Sequence, residues 1–173
     1  MLGGIGKTPT MSIKFENKED YIGGAAIVAE HLKAAGANVT FTTVMGNDSL
    51  MQFARKKLKK SKIKLNLIVD KSRPTTNKNS YTVKDYRLIK VDTLDNSSID
   101  LDIIRKIEKF IKTNSSDLVI FSDFRHGIFN KNTISYLIEA IPKKSIKVAD
   151  SQVASRWGNI TDFKKFDLIT PNE

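Results

Sequence analysis

The stretch that decides the fold is SSIDLDIIRKIEKFIKTNSSDLVIFSD, residues 97–123. Its first part places apolar residues from Ile103 to Ile111 at helical spacing, behind Ser and Asp residues that favour the start of a helix. Its second part, Asp117–Ser122, is a compact apolar run typical of a parallel strand buried on both faces. A helix that leads into a buried strand indicates an α/β fold.

The same alternation continues on both sides of this stretch. The apolar spacing predicts helices at 25–35, 48–60 and 132–141 and a strand at 63–69. It also predicts that four strands share one mainly parallel sheet: Asn38–Val44, Asp117–Ser122, Ser145–Ala149 and Phe166–Thr170. We therefore expect one α/β domain over residues 1–173, a mainly parallel sheet flanked by helices in three layers.

Two polar, strand-like segments interrupt the alternation, at about residues 10–17 and 74–92. They predict a small antiparallel flap, in which Ser12–Phe15 and Tyr81–Val91 pair with each other at one edge, with a turn near Lys84 and Asp85. Ligands of α/β folds bind beyond the carboxyl ends of the strands. A flap at that edge can close over a ligand.

Composition limits the classes of function. The chain has 173 residues, no cysteine and a net charge of +10, and it shows neither a signal peptide nor an apolar run of membrane-spanning length, so we expect a cytoplasmic protein. The densest basic run, Arg55–Lys64, carries an apolar stripe at helical spacing, which predicts a solvated face. Nucleic-acid binding, which clustered cations would favour, is the weaker alternative.

Gly6-Lys7-Thr8 looks like the end of a phosphate-binding P-loop, G-x-x-x-x-G-K-[ST]. The first glycine of that motif would fall at Met1, and strand-like alternation rather than a helix follows. We interpret this segment as a glycine-rich turn. A better candidate is Gly23-Gly24, which opens a helix where small residues and free N–H groups favour an oxygen-rich ligand.

Five segments, in order along the chain, resemble signatures of the ribokinase-like (PfkB) carbohydrate kinases. They are GGAAIVAEHLKAAGANVTFTTVMGND (23–48), RPTTNK (73–78), LIKVD (88–92), IFSDFRHGIF (120–129) and DLITPNE (167–173). Within that family, the sequence is most similar to the kinase part of ADP-heptose synthases, heptose 7-phosphate kinases. The resemblance covers the N-terminal, substrate-side part of such a kinase.

This resemblance implies phosphoryl transfer from ATP, with Mg²⁺, to a hydroxyl of a carbohydrate, here a sugar phosphate such as heptose 7-phosphate. It implies that Gly23 and Gly24 border the sugar, that Asp123 and Gly127 line the cleft, and that Asn172 faces the Mg²⁺ and phosphate region. For Asp123, capping of the turn after its strand is an equally simple role, and Asn172 can equally be an ordinary loop residue after Pro171.

The charged residues of the flap are candidate ligands for an anionic substrate. Arg73 and Lys78 could bind the phosphate of a phosphorylated sugar, or they could be solvated flap charges. His126 lies in the Asp123 turn and could reach substrate, whereas His31 is predicted to be a core or boundary residue of its helix. Two isolated histidines predict no metal site.

The chain also departs from the family pattern. Ile27 replaces the usual Asn of the first signature, and Lys90 and Ser80 stand where Arg is common. The resemblance places the first core strand before Met1 and the catalytic base beyond Glu173, so no catalytic residue is assigned here. We expect a substrate-side part of a sugar kinase, either a fragment or a naturally truncated relative, with a homodimer through the flap as one conceivable assembly; the alternative is a non-catalytic sugar-binding or regulatory remnant.

Overall fold

The computed structural model describes residues 3–4, 11–151 and 160–170. These residues form strands and helices in the order β1 (Gly3–Gly4), β2 (Met11–Ser12), α1 (Ala25–Ala34), β3 (Thr40–Met45), α2 (Ser49–Lys60), β4 (Lys64–Val69), β5 (Asn77–Val83), β6 (Tyr86–Thr93), α3 (Leu101–Thr113), β7 (Leu118–Asp123), α4 (Lys131–Ile138), β8 (Ile146–Ser151) and β9 (Leu168–Ile169). A short 3-10 turn, Ile160–Asp162, precedes β9. The predicted α/β fold is confirmed. The turn predicted at Gly6-Lys7-Thr8 falls outside the described residues.

Two helix starts follow directly from local sequence. Helix α2 begins after Asp48, whose carboxylate accepts a hydrogen bond of 2.9 Å from the N–H of Met51. Helix α4 begins with a reciprocal cap, in which the Asn130 side chain accepts from the N–H of Thr133 and the Thr133 hydroxyl accepts from the N–H of Asn130. Caps of this kind contribute about 1 kcal/mol each, so both helices are fixed at their first residue.

Two clusters of buried side chains hold the helices against the strands. The larger cluster joins α3, α4 and β7, and its buried members include Ile103, Ile104, Ile107, Phe121, Ile134, Leu137 and Phe163. The smaller cluster joins α1 and α2 and consists of Ala26, Ala29, Leu58 and Ile63. Full burial of a leucine, isoleucine or phenylalanine contributes about 1.5–3 kcal/mol. The larger cluster therefore supplies most of the hydrophobic stabilisation.

Helix α1 buries a different face from the predicted one. Ala26 and Ala29 are its buried residues, whereas Ile27 is 40% exposed and His31 is exposed. The prediction of a core or boundary role for His31 is therefore wrong. The small side chains of the two alanines let the helix approach the smaller cluster closely, and this leaves the bulkier residues of α1 toward solvent or toward an open cavity.

The basic run on α2 is solvated, as its spacing predicts. Leu58 is only 1% exposed, and Met51 and Ala54 are buried beside it. Arg55 and Lys56 are exposed on the opposite side. The cations of this helix therefore coat one face of an amphipathic helix whose other face packs inward.

The strands form separate sheets. Strand β3 pairs in parallel with β4, with Thr40 opposite Lys64. Strands β7, β8 and β9 form a second parallel sheet, with Leu118 opposite Ile146 and β9 beside β8. The prediction that all four strands named above share one sheet is therefore wrong for Asn38–Val44, although it is confirmed for the other three.

A cavity of about 650 Å³ separates β3 from β7. Both strands line it along their length, together with residues of α1 and α3 that include Val28, Leu32, Ile107 and Phe110. The apolar pattern of a buried strand predicts the strand itself, but it does not identify the neighbour to which the strand is hydrogen-bonded. This is why the sequence placed β3 in the wrong sheet.

The flap is a hairpin of its own. Strands β5 and β6 pair antiparallel, with Tyr81 opposite Ile89, and the chain turns at Lys84 in a left-handed conformation (φ 53°). Strand β2 pairs instead with β1, with Gly3 opposite Ser12. The prediction that Ser12–Phe15 pairs with Tyr81–Val91 is wrong, because β5 and β6 pair with each other as sequence neighbours joined by a tight turn.

Candidate functional site

A second cavity, of about 550 Å³, lies at the carboxyl ends of β3 and β7. It is bounded by the start of α1, by the segment Arg73–Lys78 that leads into the flap, and by the turn after Asp123. Five of the six residues predicted to bind substrate line it: Gly23, Gly24, Arg73, Lys78 and Asp123. This is the edge of a parallel α/β sheet at which ligands bind.

Gly24 shapes the start of α1 at this cavity. Its backbone lies at φ 58° and ψ −140°, a conformation that side chains disfavour, and its carbonyl accepts a hydrogen bond from the N–H of Ile27. A β-carbon on Gly24 would contact the ring of Phe124 at 3.7 Å, whereas Gly23 has open space around it. The first turn of α1 carries no acidic residue, so its positive end is available to an oxygen-rich ligand.

Asp123 combines the two roles predicted for it. One carboxylate oxygen accepts from the N–H of Arg125 at 2.8 Å, and the other accepts from the Ser151 hydroxyl at 3.2 Å. The guanidinium of Arg125 lies 3.5 Å from the second oxygen. Asp123 is 4% exposed and still lines the cavity. The carboxylate thus caps its turn while one edge of it faces the ligand space.

Arg73 is bound to protein on every side of its guanidinium. Its Nε donates to Asp70 at 2.7 Å, and the side chains of this ion pair are only 7% and 8% exposed. Its two terminal nitrogens donate to the backbone carbonyls of Asp95, Ser97 and Ser98 at 3.3–3.4 Å. The predicted phosphate ligand therefore lies in the wall of the cavity as a structural cation.

Asp70 is held ionised by the same contacts. Its carboxylate accepts from the hydroxyl and the N–H of Ser72 and from Arg73. The hydrogen bond from the Ser72 hydroxyl, with help from Arg73, lowers the pKa of Asp70 despite the opposing effect of burial. A buried charge needs such compensation, and here the two charges provide it for each other.

Thr75 fastens the same segment to β3 and α2. Its hydroxyl accepts from the N–H of Gly46 at 3.1 Å, and its own N–H donates to Asp48 at 2.8 Å. A β-carbon on Gly46 would lie 2.5 Å from the carbonyl oxygen of Arg73. Burial raises the pKa of Asp48, but the hydrogen bonds from Thr75 and Met51 outweigh it and lower that pKa.

Lys78 is an exposed cation at the edge of the cavity. It is exposed on β5 and lines the cavity, and no salt bridge within the described ranges involves it. Its charge acts on His126, which lies across the cavity. Both predicted phosphate ligands line the cavity, but Arg73 is bound to Asp70 and to backbone carbonyls, whereas Lys78 is exposed.

His126 faces the flap from the Asp123 turn. Its Nδ1 lies 2.9 Å from the side-chain oxygen of Asn96. Burial and the charge of Lys78 lower the pKa of His126, against the smaller raising effects of Asp123 and Asp92. The imidazole is therefore held in its neutral form more strongly than a solvated histidine is.

Gly127 allows the closest backbone approach beside the cavity. It has φ 89°, and a β-carbon there would lie 2.0 Å from the carbonyl oxygen of Ser97. Its own carbonyl accepts from the N–H of Ile99 at 3.1 Å. Gly127 is thus a packing position between two loops, adjacent to the cavity lining.

Other predicted site features fall outside this geometry. Asn172 is not among the described residues. Within residues 3–4, 11–151 and 160–170, no group of three His, Asp or Glu side chains is placed to hold a metal ion. Asp70, Asp48 and Asn96 hold residues of the cavity wall in place. Nothing in the sequence singles them out, because a lone Asp or Asn before a turn is too common a signal.

Comparison with known proteins adds sequence relatives. The chain is 28% identical over 171 residues to the bifunctional protein HldE of Rhodopseudomonas palustris, covering 96% of this chain and 34% of the relative. It is 26% identical to the bifunctional protein HldE of Helicobacter hepaticus, covering 96% and 35%. The chain therefore spans about one third of the length of the relatives that it matches. No family model matches.

Solved structures decide the fold. Phosphofructokinase-2 from Escherichia coli, in its tetrameric inhibited form, superposes with a TM-score of 0.65 at 16% identity, covering 92% of this chain and 55% of that one. The ribokinase from Giardia lamblia gives a TM-score of 0.60 at 14% identity, covering 86% and 46%. The fold is ribokinase-like.

The ribokinase-like fold and the relatives together confirm the resemblance read from the sequence. The chain is thus similar in sequence to HldE proteins and similar in fold to phosphofructokinase-2 and ribokinase. In the part of the chain that the structure describes, no helix has the length and apolar character needed to cross a membrane.

Proposed function

We propose that this chain is the substrate-side part of an ATP-dependent carbohydrate kinase that phosphorylates a hydroxyl of a sugar phosphate such as heptose 7-phosphate. The observation that carries the proposal is the cavity where Gly23, Gly24, Lys78 and Asp123 meet at the carboxyl ends of β3 and β7. The two glycines leave the backbone uncovered by side chains, Asp123 offers a hydrogen-bond acceptor, and Lys78 offers an exposed positive charge. This combination suits a sugar that carries an anionic group.

In this proposal Asp123 orients a sugar hydroxyl. Its carboxylate is held by Arg125 and Ser151, so it is rigid and can accept a further hydrogen bond from the cavity side. The start of α1 at Gly23 and Gly24 offers N–H groups to sugar oxygens. Lys78, on the flap, supplies the charge that distinguishes a sugar phosphate from a neutral sugar.

ATP and Mg²⁺ belong to the proposed reaction of the intact protein. Bound together they supply the phosphoryl group and neutralise its charge during transfer. From the resemblance to ribokinase-like kinases we propose that the general base and the nucleotide phosphate site lie outside residues 1–173, with Asn172 facing that region.

The test is an ATP-consumption assay with heptose 7-phosphate and common hexoses, run on this chain and on a version extended through the rest of the kinase. We expect turnover only from the extended protein, because loss of a positioned base alone costs about 10² to 10⁴ in rate and loss of the phosphate cradle adds to it. Comparable turnover by residues 1–173 would refute the assignment of the chemistry to other residues.

Binding separates the sugar site from the chemistry. In the extended protein, Lys78→Met should weaken heptose 7-phosphate more than the unphosphorylated heptose, as followed by calorimetry. Lys56→Met on the exposed face of α2 is the matched control and should change neither affinity. Equal loss for both sugars in the Lys78 variant would contradict a phosphate contact.

A non-catalytic sugar-binding or regulatory remnant is the alternative function. Sugar binding without turnover, in the extended protein as well as in this chain, would select it. The proposed setting is the cytoplasm, with a small sugar rather than nucleic acid as ligand.

We further propose a homodimer through the flap. One face of the β5–β6 hairpin carries Tyr81 paired with Ile89, and Val91 follows on the same side; these residues are 47%, 56% and 43% exposed. A sheet face with this much exposed apolar surface favours association. Sedimentation of Ile89→Lys should show a smaller species than the unaltered chain, and equal sedimentation would contradict this assembly.

A further inference from the structure

Arg73 lies between the two ends of the flap. It comes just before β5, and its terminal nitrogens reach the carbonyls of Asp95, Ser97 and Ser98, which come just after β6. We call the segment Asp95–Ser98 the flap return. The ion pair between Arg73 and Asp70 anchors Arg73 to the end of β4. One buried guanidinium thus joins the base of the flap to a parallel strand.

The flap return is also the surface on which the Asp123 turn rests. Asn96 contacts His126, and the Ser97 carbonyl fills the space beside Gly127. The Ser98 hydroxyl accepts from the side-chain amide of Asn130 at 3.5 Å, and Ile99 donates to the Gly127 carbonyl. A displacement of the flap return would therefore be transmitted to the turn that carries Asp123.

We propose that Arg73 is a positioning residue that couples the flap to the Asp123 turn through the carbonyls of the flap return. The proposal gives Arg73 a role in the proposed sugar site without contact to the substrate. It leaves recognition of an anionic group to Lys78.

The chemistry of the guanidinium explains why arginine suits this place. Its planar group donates in several fixed directions at once, which lets it serve a carboxylate on one side and three carbonyls on the other. Lysine would keep the charge opposite Asp70 but could not hold the same set of carbonyls. Arg73→Lys therefore keeps the charge opposite Asp70 and removes the contacts to the carbonyls of the flap return.

His126 reports the coupling without any ligand. The chain contains two histidines, so NMR titration of their ring protons resolves His126 on the turn and His31 on α1 as an internal reference. The groups that act on or contact His126 are Lys78 on β5, Asp92 on β6, Asn96 on the flap return, and Asp123 on its own turn. None of them is altered in Arg73→Lys.

Arg105→Lys is the matched control. Arg105 also pairs with an aspartate three residues earlier, Asp102, but this pair lies on the exposed face of α3, with the side chains 66% and 77% exposed. In Arg73→Lys we expect the His126 pKa to rise toward its ordinary value, because the loosened flap return exposes the ring. Arg105→Lys should leave the His126 pKa as it is in the unaltered chain.

Two results would overturn the proposal: a folded Arg73→Lys protein with an unchanged His126 pKa, or an equal rise of the His126 pKa in Arg105→Lys. If Arg73→Lys does not fold, Gly127→Ala tests the same contact, since its β-carbon would push the Ser97 carbonyl away. An unchanged His126 pKa there also overturns the coupling. Because no sugar is used, failure of the proposed kinase function would leave this test intact.

Discussion

The two parallel sheets differ in how completely they are covered. The β7–β8–β9 sheet packs against α3 and α4 in a core cluster of twelve buried residues, one of which is Ile68 of β4. The cluster beneath α1 and α2 at the β3–β4 sheet contains four. The cavity between β3 and β7 is lined by residues of both sheets. We infer that the first region is the stable part of the chain and that the second depends on its few loop contacts.

The largest expected effect compares matched leucine truncations in the two regions. Leu137 and Leu58 are 0% and 1% exposed. Leu137→Ala should cost about 5 kcal/mol in the free energy of unfolding and Leu58→Ala about 2 kcal/mol, because Leu137 packs within a cluster of twelve buried residues and Leu58 within a cluster of four. Urea denaturation of both variants measures this. The reverse order would break the comparison.

A smaller effect compares two buried serines. The Ser145 hydroxyl, at the start of β8, donates to the Ser116 carbonyl at 2.6 Å. The Ser122 hydroxyl on β7 is buried and has no hydrogen-bond partner among the described residues. Ser145→Ala should cost about 1–3 kcal/mol, while Ser122→Ala should be neutral or stabilising by about 1 kcal/mol.

Thermal unfolding of the two serine variants checks this pair. A clear loss of stability in Ser122→Ala would mean that its hydroxyl has a partner, such as a bound water. The polar groups of β7 beside the cavity would then be fully hydrogen-bonded, and the difference between the two serines would disappear.

The smallest expected effect concerns pH at the junction of the two regions. The folded-state pKa of His126 is lowered, so its contribution to stability is complete above the unfolded value near 6.5 and is lost as pH falls through the folded pKa. The free energy of unfolding should therefore fall less between pH 7 and pH 5 in His126→Gln than in the unaltered chain.

The control for this titration is His31→Gln on the exposed side of α1. It should reproduce the acid dependence of the unaltered protein, since Asp48 and Asp70 titrate identically in both. If His126→Gln shows the full acid-induced loss, the histidine is not held neutral by its surroundings and carboxylates alone set the pH dependence.

Local signals in the sequence predicted the elements well. The helices at 25–35, 48–60 and 132–141, and the strand at 63–69, all appear within a few residues of their expected bounds. Each rests on side-chain periodicity and capping, which act between residues close in the chain. Five of the six predicted substrate-binding residues line one cavity, because parallel strands bring their carboxyl ends to one edge.

The failures share a cause. The sequence-based predictions placed β3 in the sheet of β7, paired Ser12–Phe15 with the flap, and made His31 a core or boundary residue. Each of these predictions depends on which element packs or pairs beside the segment, and an apolar pattern does not identify that neighbour. Arg73 illustrates this for the site, since its charge is visible in the sequence but its partners at residues 95–98 are not.

The sequence by itself determined the α/β class, the order of the elements and the glycine-rich and Asp-containing turns that end at the cavity. Those features follow from the conformational preferences of nearby residues and from burial of periodic apolar faces. Only the tertiary structure decided that the parallel strands divide into two sheets and that Arg73 is occupied by Asp70 and three carbonyls. A buried cation must find its partners within hydrogen-bonding distance, and folding alone brings residues this far apart in the chain together.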